Sequence, residues 1–76
     1  MTPDHLHKRD PDRNMARFYR VDVAPTLFGE ASVARSWGRI GTAGRTAFET
    51  CPTHVAAEKA AAKMIYAKLK RGYYAA

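Results

Sequence analysis

Trp37, the chain's only tryptophan, stands between two arginines in Arg35-Ser36-Trp37-Gly38-Arg39-Ile40-Gly41. If this stretch is a strand, alternation projects Arg35, Trp37 and Arg39 from one face and Ser36, Gly38 and Ile40 from the other. A flat indole between two guanidinium groups suits a sugar-phosphate backbone. The ring stacks on a base or sugar, and the arginines pair with phosphate oxygens in bidentate fashion. Filling a core with Trp37 would draw both arginines inward unpaired, at a cost, so the spacing predicts a partly exposed indole.

Other residues with chemical potential form weaker patterns. Cys51 and His54 lie three apart, a spacing at which a nucleophile and a base can meet, yet a strand-ending cysteine and a first-turn histidine account for both. His5 and His7 make an H-x-H with no third metal ligand near them. The few carboxylates are scattered, without the pairing that acid–base catalysis needs. Gly41-Thr42-Ala43-Gly44 lacks the Lys-Ser/Thr that would make a phosphate-binding loop. The expectation is a non-enzyme with no cofactor, no metal site and no small-molecule substrate.

Three strands and a helix are expected to position these residues. Arg17 to Val23 is rich in aromatic and β-branched residues and alternates so that Tyr19, Val21 and Val23 share a face. Pro25 and Gly29 mark a loop over Ala24 to Glu30. A second strand is expected from about Ala31 to Ile40, a short glycine-bounded hairpin over Gly41 to Gly44, and a third strand from Arg45 to Cys51. Thr53 is placed to cap a helix near His54 to Arg71, which Gly72 stops. At 100° per residue Val55, Ala62, Ile65 and Leu69, with Ala61 at the flank, share a stripe that should pack on the sheet, while Lys59, Lys63 and Lys70 line an adjoining face. The fold class is therefore α+β: a small antiparallel sheet with one C-terminal helix packed across one face.

Size and charge set bounds on function. At 76 residues the chain holds one small domain, which buries only about 60% of its unfolded surface. Residues 1–16, with Pro3, Pro11 and almost no large apolar side chains, have the composition of a flexible tail, leaving 17–76 as the domain. In that tail Lys8, Arg9 and Arg13 are matched by Asp4, Asp10 and Asp12, so the net +6 belongs to the remainder. A basic folded part favours polyanionic partners. A lone cysteine, no signal peptide and no apolar run that would span a bilayer point to the cytoplasm.

Taken in order, Arg17-Phe18-Tyr19-Arg20-Val21, Leu27-Phe28-Gly29, Trp37-Gly38-Arg39-Ile40-Gly41, Gly44-Arg45 and the closing Lys70-Arg71-Gly72-Tyr73 resemble a WGR domain. The resemblance runs from Arg17 to Tyr73. The family is best known as a module of eukaryotic poly(ADP-ribose) polymerases and occurs also in bacterial proteins, some of them short. It implies a small sheet with a packed helix, and contact with DNA through the signature Trp and Arg, here Trp37 and Arg39. The chain has no room for the polymerases' transferase domain, so catalysis and NAD binding are not implied.

Strand alternation and charge add Arg35, Arg20, Lys59, Lys63 and Lys70 to the candidate nucleic-acid-binding residues. DNA is the first expected partner, with RNA left open. An acidic protein docking on Trp37 and the arginines is the alternative.

Overall fold

The computed structural model describes residues 4–76. Its strands are β1 (His5–Asp10), β2 (Met15–Pro25), β3 (Ala31–Arg39), β4 (Arg45–Cys51) and the short β5 (Tyr74–Ala75), and its one long helix is α1 (His54–Lys70). A single 3-10 turn, Pro11–Arg13, links β1 to β2 and closes on Asn14 in the left-handed region at φ 51°. The strands form one antiparallel sheet in the order β4-β3-β2-β1-β5, with α1 against one face. This is the α+β architecture expected.

The main departure lies at the N-terminus. His5–Asp10 is a strand, paired with β2 from His5 opposite Arg20 to Asp10 opposite Met15. The flexible tail expected over 1–16 is thus corrected for residues 4–16, while 1–3 lie outside the described residues. Leu6 is the physical reason: it is wholly buried, opposite Tyr19, beneath the helix. Its polar neighbours are tolerated because β1 lies near the sheet's edge, where backbone pairing alone suffices. β5 then pairs with β1, Leu6 opposite Ala75 and His7 opposite Tyr74.

Helix α1 begins where the sequence places it, since the Thr53 side chain accepts a hydrogen bond from the Ala56 amide at 3.0 Å. Gly72, at φ 94°, ends the helical run through a conformation that side chains resist. The packed stripe, however, is rotated from the expected one. Ile65 of that stripe is buried against the sheet with Ala61 from its flank and Ala57 beyond it, whereas Val55, Ala62 and Leu69 are exposed. Alanines at the contact let the helix backbone approach a sheet whose own Tyr19, Val21 and Val33 fill the space between the layers. Large side chains at Val55 and Leu69 would hold the layers apart.

One face of the sheet carries the helix. Its other face, which bears His5, His7, Phe18, Arg20, Ser36 and Thr46 by register, carries no element among the described residues.

Candidate nucleic-acid interface

Register fixes the site. β3 pairs with β2 so that Arg39 stands opposite Arg17, Trp37 opposite Tyr19 and Arg35 opposite Val21. Tyr19 and Val21 are core residues under α1, so Arg35, Trp37 and Arg39 emerge on the helix-bearing face. Trp37 stands beside the buried Tyr19 yet keeps 37% of its surface exposed. Partial exposure is what the two flanking arginines led us to expect.

Gly38 and Gly44 hold the indole's backbone in place. Gly44 has φ +68°, and a Cβ there would run into the Trp37 carbonyl and stand 2.8 Å from the Phe18 ring. A Cβ on Gly38 would stand 2.7 Å from the Gly44 Cα. The hairpin therefore folds back so closely on β3 that both positions exclude a side chain. Thr42 tightens the same turn, its hydroxyl donating to the Arg39 carbonyl at 2.8 Å.

A basic cluster surrounds the indole. The Arg35 guanidinium carbon lies 5.9 Å from the Trp37 ring centroid. From the last turns of α1, Lys68 brings its Nζ to 5.0 Å from the Tyr19 ring and 5.5 Å from the Tyr73 ring. Lys8 approaches Tyr73 from β1, Nζ to centroid 5.7 Å, and donates to the Arg71 carbonyl at 2.7 Å. Trp37, Gly38, Arg39, Arg17, Lys68 and Tyr73 share the lining of one depression of about 380 Å³.

Its electrostatics are one-sided. Burial, and then repulsion from Arg71, Arg17, Arg35 and Lys8, holds the Lys68 ammonium below its ordinary pKa. Burial raises the Tyr19 phenol above its usual value, against an opposing pull from Arg35. The ion pairs among the described residues, Arg13 with Asp10, Arg20 with Asp22 and His54 with Glu58, leave Arg17, Arg35, Arg39 and Lys68 without a carboxylate. Cations gathered at this density lower their mutual repulsion by accepting an anion.

The sequence candidates separate into three places. Arg35, Trp37 and Arg39 come together. Arg20 lies on the opposite face, its Nε 3.5 Å from the Asp22 carboxylate. Lys59, Lys63 and Lys70 point outward, about 160–200° around the helix from the buried Ala61, with Lys70 folded over Tyr66. Conversely, Lys68, Arg17, Lys8 and Tyr73 join Trp37 unforeseen. Arg17 was legible in principle, because pairing Tyr19 with Trp37 places it opposite Arg39. Lys68 was hidden by the rotated helix stripe.

Cys51 is buried in the core, and His54 turns outward to Glu58 at 3.2 Å. Among the described residues no three His, Cys, Asp or Glu converge on a metal site, and no helix is long and apolar enough to cross a membrane.

A family model of the WGR domain matches residues 3–76, nearly the whole chain. The chain belongs to the WGR family. WGR domains are known as non-catalytic modules that bind nucleic acids. The match takes in β1, so the WGR unit begins well before Arg17. Among curated proteins, this WGR domain is similar to the uncharacterized protein y4dW of Sinorhizobium fredii (strain NBRC 101917 / NGR234). The two are 38% identical over 69 residues, which make up 91% of this chain and 34% of that protein. The chain thus spans about a third of that relative's length. No solved structure matches it.

Proposed function

We propose that this WGR domain binds DNA through the helix-bearing end of β3, with Trp37 stacking on a terminal base or sugar and Arg39, Arg35, Arg17 and Lys68 holding phosphates. The observation that carries this reading is the partly exposed indole set among cations that have no carboxylate partner among the described residues. Phosphate contacts dominate over base readout, since the site lies on strand ends and the described residues hold no second long helix beside it to enter a groove. The protein acts as a binding module and catalyses nothing.

The test is a titration of Trp37 fluorescence with blunt 5′-phosphorylated duplex, nicked duplex, closed circular duplex and single strand. Stacking quenches the indole, and ends or nicks quench more than closed circles. Trp37→Ala lowers affinity, read by anisotropy of labelled DNA, by roughly 5- to 100-fold, the worth of one base stacked on an aromatic ring. Unchanged affinity in folded Trp37→Ala and Arg39→Ala overturns the reading and transfers Trp37 to an acidic protein partner.

A further inference from the structure

The sheet face without a helix carries a second set of side chains that the Trp37 site does not use. His5 and His7 alternate onto it from β1, and their ring centroids lie 5.1 Å apart at an interplanar angle of 88°. Phe18, on β2, meets His5 edge-on at 6.5 Å. Arg20, also on β2, pairs in register with His5 and Ser36. The floor is polar without being charged: the Ser36 and Thr46 hydroxyls bond to each other at 3.0 Å. The β3–β4 turn forms one wall, enclosing a groove of about 450 Å³.

This groove and the depression at Trp37 lie on opposite faces of the same strand ends and have one lining residue in common. Phe18 borders both, because Gly38, its partner in register, leaves the end of the sheet thin. A chain lying on Trp37 thus reaches the open face by passing round one strand end.

Each component of the groove suits an unpaired nucleotide. Aromatic rings offer faces to bases whatever their sequence, a guanidinium offers a phosphate contact, and hydroxyls offer both donors and acceptors. The nearest carboxylate on this face, Asp22, is already engaged with Arg20 in an exposed pair, which a phosphate displaces at little cost. His7 is held below its ordinary pKa by burial and by His5 and Arg9, which keeps its ring neutral near pH 7. A duplex is too wide and stiff to follow the turn round the sheet end. A single strand is not.

We infer that the open face binds the unpaired nucleotides of a single-stranded DNA extension, on a platform of His5, His7 and Phe18 with Arg20 on the backbone, while the adjoining duplex end occupies the Trp37 site. The assignment rests on the DNA-binding reading of Trp37 and adds to it a preference for extended ends over blunt ones.

The experiment compares labelled blunt duplex with the same duplex bearing a four-nucleotide extension of either polarity, using the full chain. Wild type binds one of the extended duplexes about tenfold more tightly than the blunt one, the increment of roughly one stacked base. The His5→Gln/His7→Gln double variant loses that increment and keeps its blunt-duplex affinity, with far-UV circular dichroism reporting the fold. Arg20→Gln behaves likewise. Trp37→Ala weakens both ligands together. As a second readout, adding the extended duplex to wild type shifts the His5 and His7 ring-proton resonances upfield, as ring stacking requires.

Equal wild-type affinity for blunt and extended duplexes overturns this inference alone. Loss of blunt and extended binding in equal proportion in the histidine variant does the same. Absence of binding to every duplex overturns it together with the reading beneath it.

Discussion

Gly44 shows how a residue without a side chain can govern the indole. Its φ of +68° strains any L-residue, and the Trp37 carbonyl and Phe18 ring occupy the space a Cβ would take. Gly44→Ala therefore adds backbone strain of about 1–3 kcal/mol to a steric overlap that only movement of β3 relieves. We expect a loss of at least about 2 kcal/mol in chemical denaturation, together with an altered Trp37 emission maximum. Gly41→Ala, at a φ of +93° with no heavy atom within 4 Å, meets the strain alone and loses less.

Lys68 makes both stability and binding depend on pH. In the free protein its pKa lies below the ordinary 10.5, so the folded state binds fewer protons than the unfolded one in the window below 10.5. Stability of the free protein accordingly rises with pH across that window. A bound phosphate favours the ammonium and raises the same pKa, so binding takes up a proton and affinity falls as pH rises. Between about pH 7.5 and 10 wild type loses DNA affinity more steeply than Lys68→Met, measured by anisotropy at constant ionic strength. Parallel pH profiles would remove Lys68 from the site.

At the scale of elements, β1 is the sharpest contrast between sequence and fold. Leu6 is its only large aliphatic residue and is wholly buried. Leu6→Ala is expected to cost about 2–5 kcal/mol, a large share of the 5–15 kcal/mol typical of a whole domain. Leu69→Ala, at 39% exposure, costs much less. Thermal unfolding of the two variants separates an integral strand from an appended one. The central strands were legible because alternating aromatic and β-branched residues have one physical reading. β1 was not, since a strand flanked outside only by the two-residue β5 needs only one core residue, and its backbone bonds leave no mark in composition. The helix was legible in extent but not in rotation. Alanine fits either side of it, and the sheet chose the side that allowed the closest approach. That choice also decided the site: Trp37, Arg35 and Arg39 followed from alternation alone, while Lys68 depended on the rotation.

For the whole molecule, the cations divide between faces that cannot contact one ligand equally. Lys8, Arg17, Arg35, Arg39 and Lys68 surround or flank the indole. Lys59, Lys63 and Lys70 project from the far side of α1, a helix thickness away. Contact with about four phosphates predicts a slope near −3.6 for log affinity against log salt on duplex DNA. Arg39→Gln and Lys68→Gln each reduce its magnitude by about 0.9. The triple variant Lys59→Gln/Lys63→Gln/Lys70→Gln removes a larger formal charge, yet it leaves the slope within error, because no counterion is released by a lysine that touches no phosphate. Its affinity falls only through the weaker overall field, an effect that fades once the Debye length drops to about 8 Å at physiological salt. Anisotropy titrations across salt distinguish the two distributions. A triple variant whose slope collapses toward zero would place the DNA along α1, with Trp37 left to another partner.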